Sequence, residues 1–341
     1  MQRIYFDKQI FSHLYNGEKI IYQKFLKDLL ENRDKFLFCY SQAHLLDLQN
    51  DKTEIKYKEL DFIEKLVGNN YISYNGIEKT TSCYLETPSQ AFESMNKEGD
   101  EEEEHFSFST FFEDIDSEYL TLEQSKQLES VTNVLKNQKF DLSFLQNSET
   151  PKEFLELIGK CFPVGDLKPM SIIELLEQFS GILKTLAEDR KAYKGLRNMI
   201  YKIINNGKFT IEFNDIDFND DLKNSVLQKS FVEFVDASIN PNGDKGITDY
   251  DFYIYAYFSL DLLGISKEKN AIFRNLINDA YHSYYGTFCD YVVSDDQGFL
   301  KKTKALYKLL GIESKVYGID EFINYFTLLK NSLENDRETF F

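Results

Sequence analysis

The chain has 341 residues, 42% hydrophobic and 15% aromatic, with 30 Phe, 22 Tyr and no Trp, enough to bury one large core or two ordinary ones. No apolar run reaches the roughly 18 residues of a membrane-spanning helix, and the first residues, Met1 to Asp7, read as a strand rather than a secretory signal. The net charge of −18 argues against a nucleic-acid partner until its distribution is read. Residues 86–150 carry 16 acidic and 4 basic side chains, whereas residues 1–75 carry 11 of each and residues 265–325 carry 8 of each. The acidity belongs to the middle of the chain, and both ends are neutral. Cys39, Cys83, Cys161 and Cys289 are scattered without a CxxC pair. That spacing argues against a zinc ribbon or a disulfide framework and suits the reducing cytoplasm.

The first 75 residues alternate strand and helix. Arg3–Asp7 is a short β run ending on an acid. Lys19–Leu30 repeats apolar residues at helical spacing, and Lys35–Ser41 is a continuous apolar run, as in a strand buried on both faces. Gln42–Leu48 and Glu54–Val67 read as helices, and Tyr71–Tyr74 as a third strand. Residues 76–120 are polar, and Lys97–Glu104 reads as a solvated loop. Helices are expected over Thr121–Asn137, Pro151–Cys161, Ser171–Asn205 and Asp220–Ala237, and all five prolines fall between residues 88 and 241. From Thr248 the alternation returns: helices Asp249–Leu263 and Lys269–Tyr285, strand Tyr291–Ser294, helix Gln297–Leu310, strand Ser314–Ile319 and helix Asp320–Leu329. Strands separated by helices predict a parallel sheet. The expected organisation is one α/β domain built from residues 1–75 and 248–341, interrupted by an acidic, mainly helical insert at 76–247.

Three acids fall at or just past expected strand ends: Asp7, Asp47 one short helix on, and Asp296 two residues past the fourth strand. Ligand crevices of open α/β sheets lie at the carboxyl ends of strands. Asp279 sits on the helix leading into that fourth strand. Gathering four carboxylates is costly, because like charges raise one another's pKa. A divalent cation with a preference for hard oxygen ligands offsets that cost.

The run Asp279-Ala280-Tyr281-His282, then Gly286, Cys289-Asp290-Tyr291 and Val293-Ser294-Asp295-Asp296 with Phe299, resembles the C-terminal signature of PIN-domain nucleases. Ile4-Tyr5-Phe6-Asp7 is similar to that family's first strand. Tyr40 to Leu48 is similar to its second strand and helix, with Asp47 where the family usually carries Glu. The resemblance covers roughly residues 1–75 and 248–330. It implies a three-layer α/β/α fold with a central parallel sheet. It implies one or two Mg²⁺ or Mn²⁺ ions held by Asp7, Asp47, Asp279 and Asp296, and endonucleolytic hydrolysis of RNA by an activated water. The insert would select substrate or bind a protein partner.

Around those four, His44 and His282 share helix faces with Asp47 and Asp279, and Ser294 and Asp295 flank Asp296. Lys301 and Lys302, with Lys304 and Lys308, could hold phosphates or form a solvated helix face. Asp51 or Glu54 could stand in for Asp47. The aromatic run from Tyr250 to Phe258 reads as core before base-stacking platform. The loop Asn240 to Ile247 has EF-hand-like spacing but puts Lys245 where that loop needs glycine, and reads as a turn. Two rival readings keep the fold: a catalytically inactive binding or scaffold protein, and a nuclease that cuts DNA.

Overall fold

The computed structural model describes residues 1–17, 19–102, 121–140, 169–175, 186, 189–206, 222, 224–240, 243, 246–265 and 273–338. The chain divides into two compact units. The first comprises Met1–Asn96, Phe209–Glu268 and Asn275–Phe341; the second comprises Lys97–Lys208 and Lys269–Arg274.

The first unit is built on a six-stranded mixed sheet. Its strands are β1 (Gln2–Phe6), β2 (Phe36–Ser41), β3 (Asn70–Asn75), β4 (Thr80–Leu85), β7 (Tyr291–Ser294) and β8 (Lys315–Gly318), in the order β4-β3-β2-β1-β7-β8. Five strands run parallel, and β4 alone turns back against β3. The expected sheet was wholly parallel and lacked β4. The difference has a local cause: Asn75 Oδ1 accepts the Ile77 and Glu78 amides, and Lys79 takes a left-handed φ of 54°. That closes a tight hairpin in a polar stretch whose residues do not alternate.

Aromatic residues fill one core. Ile4 and Phe6 on β1 and Phe36, Phe38 and Tyr40 on β2 point to one side. There they meet α1 (Lys8–Asn16), α2 (Ile20–Glu31), α4 (Ile55–Val67) and α12 (Ile319–Glu338). Phe6 stacks on Phe38 at 5.8 Å and meets Phe322 edge-on at 6.1 Å. Tyr5 and Ser41, of opposite parity, turn instead toward α10 (Phe273–Gly286), which donates His282 to the same network. Gly286 closes α10 against β7: a Cβ there would lie 2.6 Å from Val292 Cγ2 and 2.8 Å from the Tyr307 hydroxyl.

Further helices of this unit are α3 (Gln42–Asn50), α5 (Pro88–Glu102), which begins in it, α8 (Val226–Ile239), α9 (Asp249–Leu262) and α11 (Gln297–Leu310). Helix α5 runs through part of the expected Lys97–Glu104 loop; residues 103–104 lie outside the described residues. No helix was expected over Lys8–Asn16, although an acid after a strand can also serve as a helix N-cap; the structure shows Asp7 doing so at the start of α1. Gln228 of α8 donates to the Leu309 carbonyl of α11 at 2.7 Å.

The second unit contains α6 (Leu122–Asn137), started by a Thr121–Gln124 capping box, and α7 (Arg190–Asn206). It also holds a two-stranded antiparallel pair, β5 (Lys139–Phe140) and β6 (Met170–Ser171). The expected helix Pro151–Cys161 lies outside the described residues, as do residues 269–272 and Pro241, Asn242, Asp244 and Lys245 of the EF-hand-like loop. Among the described residues no helix is long and apolar enough to cross a membrane.

Candidate active site

The chain adds β2 and β3 on one side of β1, then crosses to add β7 and β8 on the other. The order therefore reverses between β1 and β7. In open α/β sheets that switch point is where a crevice opens at the carboxyl ends of the strands. Asp7 ends β1 there, and Ser294 ends β7 beside it.

Asp7 is engaged by both neighbours. Its Oδ1 accepts the Gln9 amide at 3.0 Å, capping α1, and its Oδ2 accepts the Ser294 hydroxyl at 2.5 Å. The Asp7 amide donates to the Val293 carbonyl, locking the level of the two strand ends. Ser294, fully buried, also accepts the Asp296 amide at 3.1 Å. Asp296 caps α11 through Oδ1, which accepts the Phe299 amide at 2.8 Å. Burial raises the Asp7 carboxyl above its ordinary range; His282 and the Ser294 bond pull it back, and the Asp47 charge adds to the rise.

The end of β2 supplies the other half. Ser41 and His44 form a capping box at the start of α3. His44 Nδ1 accepts the Ser41 amide at 3.0 Å, so its proton sits on Nε2, which donates to the Phe6 carbonyl at 2.6 Å. Wholly buried, His44 is held neutral, its pKa lowered to about 3 by desolvation and by neighbouring His282. One turn on, Asp47 accepts Asn278 Nδ2 at 2.8 Å on Oδ1 and His282 Nε2 at 2.9 Å on Oδ2.

His282 reaches from α10 and bonds the Tyr5 hydroxyl through Nδ1 at 2.8 Å; Tyr5 in turn meets Ser41 Oγ at 2.7 Å. Desolvation disfavours the imidazolium of His282. The bond to Asp47 and the charges of Asp47, Asp7 and Asp279 outweigh it, and the pKa is raised. Asp47 goes the other way: burial raises it, but the hydrogen bond and the charge of His282 prevail and lower it. A continuous chain thus runs Asn278–Asp47–His282–Tyr5–Ser41–His44–Phe6 across four elements, β1, β2, α3 and α10.

Asp7, Asp47, Ser294, His44 and His282 therefore belong to one neighbourhood, and Asp279 acts on His282 through its charge. Asp296 joins through Ser294 and is exposed. Asp295 points elsewhere, to His13 at 3.3 Å. The expected phosphate role of Lys302 fails: it is buried and paired with Asp261 at 3.2 Å in the α9–α11 interface. Lys301, Lys304 and Lys308 are exposed. His44 has no exposed surface and so cannot touch a substrate phosphate. Tyr5, Ser41 and Asn278 were missed, because their roles arise only when β1, β2 and α10 meet. The one sequence signal was Asn278, adjacent to Asp279.

Carboxylate oxygens are the donors that a hard cation prefers. Among the described residues no three His, Cys, Asp or Glu side chains converge as the full ligand set of an ion. Mg²⁺ commonly uses one or two carboxylates and keeps its waters, which Asp7 and Asp296 can supply with Asp279 nearby. Asp47, expected as a ligand, has both oxygens taken and instead orients His282.

No family model matches the chain, and no solved structure matches it. A 147-residue stretch, 42% of the chain, is 25% identical to the small ribosomal subunit protein uS3m of Prototheca wickerhamii. The match spans 29% of that protein.

Proposed function

We propose that the chain is a Mg²⁺- or Mn²⁺-dependent endoribonuclease of PIN type, with Asp7 and Asp296 holding the cation. The observation that carries this reading is the Asp7–Ser294 bond across the switch point, with a second acid, Asp47, within electrostatic range. Helices against both faces of a mostly parallel sheet support the α/β/α arrangement that the resemblance implies. Hydrolysis of a phosphodiester needs positive charge opposite the developing negative charge, which a bound cation supplies. Ser294 fixes the Asp7 carboxylate, and Asp296 leaves Oδ2 outside its helix cap. His282, bonded to Asp47 and with its pKa raised by the acids, relieves repulsion among them when protonated, and Tyr5 holds its second nitrogen. The partial likeness to a ribosomal protein favours RNA as the partner. The scattered cysteines favour the cytoplasm; Cys39, Cys83 and Cys289 are free thiols. The acidic middle of the chain would select substrate or bind a basic protein partner.

A second reading has its own support. Both Asp47 oxygens are occupied, and Asp7 and Asp296 double as helix caps, as in an RNA-binding protein that does not cut. Incubating the purified chain with single-stranded RNA and single-stranded DNA, in Mn²⁺ or in EDTA, separates the readings. The nuclease reading expects RNA cleavage only with metal. Intact RNA with metal, alongside retained RNA binding, would favour the binding protein; cleavage of DNA alone would favour the DNA-cutting relative.

A further inference from the structure

A second concave surface lies in the first unit, outside the carboxylate network. It has a volume of about 870 Å³ and is walled by the β3–β4 hairpin, the first turn of α9, and the ends of α10 and α11. Its floor is aromatic. Tyr74, the penultimate residue of β3, lies face to face with Tyr250 of α9 at 4.1 Å and 7°. Tyr250 is in turn nearly parallel to Tyr281, 6.1 Å away and tilted 14°. Tyr284 meets Tyr250 edge-on at 4.8 Å and bonds Thr81 at 2.6 Å.

These rings are not simply core. Helix α9 divides along its length: Tyr253 and Tyr257 are buried, while Tyr250 in its first turn is only half-buried, as is Tyr74. Among the described residues the rim carries hydroxyls from Thr80, Thr81 and Thr248, and one cation, exposed Lys79, which the hairpin holds at its tip. Exposed Asp249 lies on the same rim, so the charges of the described rim residues balance.

We propose that this groove binds a single-stranded segment of nucleic acid, with bases stacked on the Tyr74–Tyr250 file and hydroxyls at their edges. The proposal rests on the nuclease reading for its substrate class. Three features select the occupant. The volume falls in the range of pockets that enclose a small ligand, which suits one or two nucleotides and is too small for a duplex. Parallel flat rings accept any unstacked base, as sequence-tolerant single-strand binders do. The ring file also ends at Tyr281 on α10, the helix that carries Asp279 and His282. With Lys79 opposed by Asp249, stacking rather than phosphate charge carries the affinity, and the salt dependence is shallow.

The test is fluorescence anisotropy of the full-length protein with a short labelled oligoadenylate in EDTA, where cleavage is stopped, beside a duplex of the same sequence. Tyr74→Ala is expected to weaken single-strand binding about tenfold, in line with stacking losses on alanine substitution, and Tyr74→Phe to restore it. Lys79→Glu, at an exposed hairpin tip that packs against nothing in the core, is expected to weaken binding several-fold, which covers the case of a poorly folded Tyr74→Ala. Equal affinity of all variants, tighter binding of the duplex, or no single-strand binding would overturn the proposal. Its failure is distinct from that of the nuclease reading. RNA cut in Mn²⁺ with variant-independent binding overturns the groove alone, whereas Tyr74-dependent binding without any cleavage supports the groove and sinks only the nuclease.

Discussion

The Ser294 hydroxyl at the end of β7 donates to Asp7 Oδ2 at the end of β1, across the one place in the sheet where the strand order reverses. Ser294 is fully buried and also receives the Asp296 amide, so one oxygen sets the position of two acids that lie 289 residues apart in sequence. Ser294→Ala removes a hydrogen bond to a charged group. It is expected to cost about 1.5–3 kcal/mol in denaturant unfolding. It also removes an influence that lowers the Asp7 pKa, so the acid limb of any cleavage profile should move to higher pH. An unchanged stability and profile would mean that Ser294 does not position Asp7.

His44 fixes the acid side of the stability curve. Its folded pKa is about 3 against an ordinary 6.5, so below pH 6.5 the unfolded chain binds a proton that the folded chain refuses. Stability is full above pH 6.5 and falls as pH drops toward 3, by roughly 4–5 kcal/mol from this group. His282 has the opposite sign: its folded pKa is raised, so its contribution is full below 6.5 and is lost as pH rises through the raised value. His44→Gln keeps the capping-box acceptor at the third helical position and should flatten the acid slope in urea titrations between pH 6.5 and 4. A slope that persists unchanged would place the acid sensitivity elsewhere.

Lys302 and Asp261 form an ion pair with almost no exposed surface. Breaking such a pair strands a buried charge. Lys302→Met is expected to destabilise the chain by about 3–5 kcal/mol, and Lys302→Met with Asp261→Leu to recover most of the loss. A double variant no better than the single one would show that the pair itself is needed.

Gly286 ends α10 where a side chain has no room. Its added Cβ would meet Val292 and the Tyr307 hydroxyl inside 3 Å. Gly286→Ala is expected to cost about 1–3 kcal/mol through overpacking, and Val292→Ala in the same chain to relieve part of it. A neutral Gly286→Ala would mean that β7 and α10 separate easily.

Much of the parallel sheet was legible in the sequence. Continuous apolar runs such as Phe36–Ser41 and Tyr291–Ser294 have few other stable settings, and the helices between them repeat at 3.6 residues. Strand β4 was not legible, since Thr80 to Leu85 is mostly exposed and carries no alternation; its pairing comes from the Asn75 turn. In the site, Asp7 and Ser294 could be read because a strand end fixes its last residue in space. Asp47 could be placed near the others but not given its role, because that depends on His282 and Asn278 arriving from α10. Lys302 was misread for a similar reason: four lysines on one helix look alike in sequence, and only α9, bringing Asp261, buries one of them.

Cleavage by an Asp7→Asn variant tests the central claim most directly. Asparagine caps a helix about as well as aspartate, so the variant should fold with a stability within about 1 kcal/mol of the parent, while it removes the charge that would hold a divalent cation. With single-stranded RNA and Mn²⁺, the parent chain is expected to cut and Asp7→Asn to cut at least about a hundredfold more slowly, the upper end of the roughly 10–100-fold loss seen when only a partner of a metal ligand is changed. Equal cleavage by a folded Asp7→Asn protein, or no cleavage by the parent, would contradict the account.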